Sequence, residues 1–183
     1  VLFMACSEDD SASTTPNPVT AEAGQVNLAF DHHVGGTAFD RLDSIESEAL
    51  PYDNGSGDMF RITTFKYLIN ELQLTNQKDS VFSYPQSVSA DEVNGIFLIG
   101  FGELSGESVS LSDIPTGTYT NLSFKVGLEE STVQEGAAGG ILSQGGLGPR
   151  DSDMFWNWNA GYVSIKFEGI SADTAGRAFG ESI

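Results

Sequence analysis

Beyond Gly24 apolar and polar residues alternate through much of the chain with the two-residue period of strands. Val26, Leu28 and Phe30 interleave with Gln25, Asn27 and Ala29, which predicts a half-buried first strand. A second is expected over Met59 to Phe65, after the turn-rich Tyr52-Asp53-Asn54-Gly55-Ser56-Gly57-Asp58. Then the phase changes. Phe65, Tyr67 and Ile69 share one parity and Leu72 and Leu74 the other, which a bulge near Ile69-Asn70 explains, with a short helix as the alternative. The apolar run from Asn94 to Phe101, bracketed by Gly95 and Gly102, reads as a central strand. Val109 and Leu111 open another before the turn Ile114-Pro115-Thr116-Gly117.

After that turn, Leu122, Phe124, Val126 and Leu128 alternate with Ser123, Lys125 and Gly127, and Tyr162 to Phe167 forms one more amphipathic strand. About seven closely spaced strands, with no long helical period and no internal repeat, predict an all-β fold. The expected architecture is an antiparallel β-sandwich or barrel-like single domain with long loops. The longest loop, Glu129 to Arg150, carries six glycines after Gly127, from Gly136 to Gly148, and such a segment points to a functional role or local disorder.

The N-terminal end follows a different pattern. Val1-Leu2-Phe3-Met4-Ala5 is apolar and stops at Cys6, the chain's one cysteine. That order fits the end of an export signal, cut before a cysteine that then carries lipid. Ser7-Glu8-Asp9-Asp10 resembles the acidic export tag of surface lipoproteins in the Bacteroidetes. The expected division is a signal remnant over 1–5, a lipid-anchored flexible linker over 6–23 rich in Ser, Thr and Pro, and a β domain over 24–183. At about 0.8 kcal/mol per buried methylene, two or three acyl chains on Cys6 would hold the protein at a membrane, so an outer-membrane lipoprotein facing the surface or the periplasm is expected. A cysteine committed to lipid leaves no disulfide, and packing alone must stabilise the domain.

The chain has 183 residues, enough for one domain and a tail. Its formal net charge of −18 repels phosphate backbones, which argues against a nucleic-acid partner. No stretch has the spacing of a calcium loop. Enzyme constellations are equally scarce. No serine sits in a strand-to-helix elbow, the Gly-rich segments lack the lysine and helix of a phosphate loop, and 26 acidic residues nominate no particular carboxylate pair. The sequence therefore predicts a protein that is not an enzyme.

The most distinctive segment is Asp153-Met154-Phe155-Trp156-Asn157-Trp158-Asn159-Ala160-Gly161-Tyr162, which holds both tryptophans. Their spacing puts Trp156 and Trp158 on one face of a strand. There the rings either fill the end of the core, or stack on carbohydrate as an exposed pair, or serve a metal or redox site after oxidation.

This segment, followed by Lys166-Phe167-Glu168-Gly169, resembles the signature of the MbnP-like proteins, copper-binding partners from methanobactin operons. Phe30-Asp31-His32-His33-Val34-Gly35-Gly36, Phe65-Lys66-Tyr67-Leu68-Ile69-Asn70, and Pro115-Thr116-Gly117-Thr118-Tyr119 before Phe124-Lys125-Val126-Gly127 agree in order, so the resemblance covers most of the chain after Gly24. It implies an exported, β-rich, copper-binding protein. In some members a tryptophan oxidised to kynurenine by a dihaem partner joins histidine ligands; here that tryptophan would be Trp156 or Trp158. Imidazole suits copper, and kynurenine offers donors where an intact indole offers almost none.

The chain departs from the family in its histidines. It has two, His32 and His33, whose adjacency sends them to opposite faces if they lie on a strand. Neither the 129–150 loop nor Ala178-Phe179-Gly180-Glu181-Ser182-Ile183, where relatives carry another, supplies one. The two are then either a turn pair before Gly35-Gly36 or the source of a copper ligand supported by carboxylates such as Asp31. A surface module that binds glycan or a protein through the aromatic patch is the competing functional reading.

Overall fold

A computed structural model describes residues 23–39, 50–88, 93–100, 107–132, 153–157, 161–172 and 178–179. Its strands are β1 (Ala23–Ala29), β2 (His33–Val34), β3 (Thr37–Ala38), β4 (Tyr52–Asp53), β5 (Met59–Asn76), β6 (Val81–Ser83), β7 (Ser87–Val88) and β8 (Val93–Asn94). They continue with β9 (Phe97–Gly100), β10 (Ser108–Pro115), β11 (Tyr119–Val126), β12 (Phe155–Asn157), β13 (Gly161–Tyr162), β14 (Ile165–Ala172) and β15 (Ala178–Phe179). Every pairing among them is antiparallel. The all-β expectation holds. Among the described residues no helix is long and apolar enough to cross a membrane.

The spine is the 18-residue strand β5. One of its edges pairs with β14 over its first half and β11 over its second; the other carries β4, β9 and β6 in turn. With β15 beside β14 this makes a seven-stranded sheet. The separate β1–β10 ribbon lies on one face. Val109, Leu111 and Ile114 of β10 bury with Ile69, Leu72, Leu74 and Ile99, and Val26 and Leu28 of β1, with Phe30 just after it, pack alongside. On the opposite face Leu68 and Ile96 bury with Met154, and Tyr162 and Val163 pack against them. The result is a sandwich, in which neighbours such as Leu68 and Ile69 serve different layers because strand side chains alternate.

The phase change predicted at Ile69-Asn70 is a bulge one residue further on. Four residues of β5, from Asn70 to Gln73, oppose three of β11, from Lys125 to Ser123, and Glu71 takes φ 48°. The extra residue returns Leu72 and Leu74 to the face of Ile69, so the helix alternative falls. A second irregularity sits at Thr63, where Thr64 faces Glu168 but Ile62 faces Gly169. Only glycine fits there, since a Cβ on Gly169 would lie 2.4 Å from the Arg61 carbonyl. This bulge brings Phe60 and Ile62 into phase with Phe65 and Tyr67.

Three expectations need correction. The run from Asn94 to Phe101 is not one strand, because Gly95 breaks it at φ 75° and sends Val93–Asn94 to pair with Ser87–Val88. Gly95 is also pressed against its neighbours, as a Cβ would meet the Pro85 carbonyl at 2.6 Å. Phe101 and Gly102 lie outside the described residues. The apolar positions of β11 are exposed at Leu122, Phe124 and Val126, and so are Ile165 and Phe167 of β14. Both strands run along the same edge of β5, at the margin of the β1–β10 ribbon, which reaches Phe124 through the ring of Phe30. Alternation in sequence marked β11 correctly but not its burial, and the strand expected from Tyr162 to Phe167 is divided, with Tyr162 ending β13 and β14 starting at Ile165.

Candidate functional site

The segment after β1 is held at both ends. Phe30 donates its N–H to the Glu107 carbonyl (2.7 Å), which ties the end of β1 to the residue preceding β10. The β2–β3 hairpin then turns on Gly35-Gly36, with Gly35 at φ 60°, and pairs His33 with Ala38. Phe39 donates its N–H back to the His32 carbonyl (2.9 Å), so His32 stands at the base of a closed loop.

The His32 side chain is 12% exposed and points into the sheet. Rings surround it: Phe65 at 5.2 Å edge-on, Tyr67 at 5.7 Å and Phe39 at 6.2 Å. Its Nε2 lies 3.0 Å from the Tyr67 hydroxyl, and its Nδ1 lies 3.6 Å from Glu107 Oε1. Burial, and after it the negative charge of Glu107, push the Tyr67 phenol above its ordinary value, so it stays protonated at neutral pH. His33 is 45% exposed and meets Asp31 Oδ2 at 3.0 Å through Nε2. The adjacent imidazoles thus differ in environment, as their opposite parity requires.

His32 and His33 nevertheless line one cleft of about 520 Å³ with Asp31, Phe39, Phe65 and Phe167. Its size is that of a small-molecule site, and its walls are mostly aromatic. The described residues of the cleft that could hold a metal are the two imidazoles and the Asp31 carboxylate. No three His, Cys, Asp or Glu side chains among the described residues are gathered in metal-binding geometry. The donors fit a copper ion in kind, through a well-oriented imidazole, and supply a partial coordination shell.

Trp156 lies on β12 and is 73% exposed. The core end that the tryptophans were candidates to fill is taken by Met154, which is 1% exposed, and by Phe155 against Tyr162 at 5.3 Å. Burial raises the Tyr162 phenol strongly. Trp156 lines a second cleft of about 460 Å³ with Asp153, Lys166 and Phe167. Burial pulls the Lys166 ammonium down, but its pairing with Asp153 and the nearby Glu168 carboxylate outweigh this and hold it above its usual value. Phe167 lines both clefts, and its ring meets Phe65 edge-on at 6.1 Å. Trp158, Cys6, the linker and residues 133–150 lie outside the described residues.

Two residues of the site were not nominated from the sequence. Tyr67 belongs to a run of alternating apolar positions, where its hydroxyl gave no separate signal. Glu107 reaches His32 only because β1 and β10 pair, a contact made across 75 residues of sequence.

The MbnP family model matches residues 23–180, most of the chain and the whole of this architecture. Among solved structures, MbnP from Methylosinus trichosporium shares the fold with a TM-score of 0.52 at 16% identity, over 86% of this chain and 60% of that one. The chain therefore spans less than two thirds of the length of that protein. No curated protein matches the sequence significantly. With its family model matched from β1 to β15, the chain belongs to the MbnP family.

Proposed function

We propose that this protein is an exported lipoprotein that binds and passes copper without catalysing a reaction. The observation that carries this reading is the setting of His32: a mostly buried imidazole with each ring nitrogen facing a defined partner, inside an aromatic cleft. A copper ion supplies a Lewis-acidic and redox-capable centre. The protein's part is to hold one imidazole in a fixed orientation and to shield it with the rings of Phe39, Phe65 and Tyr67. His33, more exposed and next to Asp31, stands at the cleft rim where metal would arrive or leave.

Membership of the MbnP family supports the copper assignment, and Trp156 extends it. An indole this exposed is accessible to a dihaem oxidising partner, and its conversion to kynurenine would add donors on the other side of Phe167. Intact-protein and peptide mass spectrometry of material from the native host tests this step, with unmodified Trp156 and Trp158 as the contrary result. Lipidation at Cys6 predicts incorporation of a palmitate analogue that Cys6→Ser abolishes.

Titration of purified protein with Cu(I) and Cu(II), followed by metal analysis, tests the main reading. Stoichiometric binding that a His32→Ala variant loses supports it; no binding by the wild type contradicts it for the unmodified chain. A second reading rests on the same exposed Trp156, which suits stacking on a sugar ring or burial against a protein partner. Glycan binding lost in Trp156→Ala, with no copper bound, would favour that alternative.

A further inference from the structure

Arg61, at 7% exposure, is the one charged side chain buried among the described residues. It stands on β5 directly opposite Ile170 of β14, where the missing side chain of Gly169 lets the two strands close on the Arg61 carbonyl. Among the described residues no hydrogen-bond partner meets its Nε or its Nη1. Lysine or histidine in such a place could shed a proton, whereas arginine cannot. A cation taken out of water without an acceptor is costly, and folds rarely keep one without a use for it. Carboxylates are not scarce in this chain, which has 26 Asp and Glu against 8 Lys and Arg.

The Arg61 side chain lines a third cleft, of about 270 Å³, which shares Phe60 and Phe167 with the His32 cleft but contains neither histidine. Phe60, Phe167 and Ile170 give it apolar walls, and Ser171 and Glu168 are polar members of its lining. A guanidinium among apolar walls is a donor set for an anion that carries an apolar body. The planar fork of arginine matches the two oxygens of a carboxylate. Phosphate matches it too, but a dianion would meet the repulsion of Glu168, whose carboxylate lies 3.5 Å from Lys166 Nζ, and would leave the rings unused. The volume is below that of a drug-sized site, which limits the body to one ring or a short chain.

We propose that this cleft binds a small organic monocarboxylate, with the carboxylate on the Arg61 guanidinium and the apolar body against Phe60, Phe167 and Ile170. The ligand supplies the acceptor that the fold withholds from Arg61. The site does not depend on copper and stands whether or not His32 holds a metal.

Benzoate is the probe, titrated calorimetrically into the metal-free full chain beside benzamide, its neutral counterpart, and acetate and inorganic phosphate, which lack the ring. Wild type should bind benzoate saturably and at least about tenfold more tightly than any of the other three, from the charge-assisted hydrogen bonds and the buried ring. Arg61→Met keeps the length of the side chain without its charge. It should abolish the preference for benzoate over benzamide while its ligand-free thermal midpoint stays at or above that of wild type, because an uncompensated buried charge has gone. Ile170→Ala, at a position 36% exposed, should fold, weaken benzoate by about fivefold and leave acetate unchanged. Benzoate binding that survives Arg61→Met, or benzamide bound as tightly as benzoate, overturns Arg61 as the anchor. Phosphate bound as tightly as benzoate overturns the monocarboxylate assignment. No benzoate binding by wild type, or an Arg61→Met protein whose midpoint falls by several degrees, shows a structural guanidinium and overturns the site.

Discussion

Replacing Tyr67 by Phe isolates one hydrogen bond of the site while keeping its packing. The ring contacts of Tyr67 with Phe30 (6.2 Å), Phe65 (5.5 Å) and His32 (5.7 Å) survive in a phenylalanine. What disappears is the hydroxyl 3.0 Å from His32 Nε2, an atom on a side chain 12% exposed. A buried polar group deprived of its partner costs about 1–3 kcal/mol, and a half-buried pair falls near the lower end, so about 1 kcal/mol is expected. Urea unfolding of the metal-free protein measures it, as a lower midpoint at unchanged m. The same variant carries a pH signature. The folded chain holds the phenol proton that the unfolded chain releases near pH 10, so wild-type stability is complete below that pH and falls as pH rises through it. Tyr67→Phe should make that alkaline fall shallower, with Tyr162, Lys125 and Lys166, all raised in the same direction, contributing to what remains. A midpoint shift worth less than about 0.3 kcal/mol, together with an unaltered alkaline limb, would refute the hydrogen bond and the burial assigned to it.

Two other substitutions probe the frame that positions the site. Gly169→Ala forces a methyl against the Arg61 carbonyl and should destabilise by about 1–3 kcal/mol, with a drop in thermal midpoint; full wild-type stability would deny the close approach. Leu111→Ala, at 0% exposure, should cost about 2–5 kcal/mol, whereas Leu122→Ala, at 39%, should stay within about 1 kcal/mol. Equal losses in chemical denaturation would show that β11 is covered after all.

What the sequence revealed follows from what each signal encodes. Period-two alternation records strand conformation, so β1, β10, β11 and most of β5 could be read directly, and the switch of parity between Ile69 and Leu72 marked the bulge. Alternation does not record what covers a strand. Leu122 and Phe167 have the pattern of core residues and yet are exposed. His32 could be nominated because histidines are scarce here. Its partners could not, since Tyr67 and Glu107 meet it only through the folding of β5 under the β1–β10 ribbon. Trp156 was open between core and surface; Met154, two residues earlier and of the same parity, is buried while Trp156 is exposed, because the register of β12 shifts between Phe155 and Asn157 and Met154 precedes the strand.

The account rests on His32 as the point where copper is held. Crystals of the copper-loaded protein, with anomalous data on both sides of the copper edge, test that most directly. A single copper peak is predicted about 2.0–2.2 Å from a ring nitrogen of His32. A peak at Trp156 or on the protein surface with none at His32, or no ordered copper in loaded crystals, would contradict it.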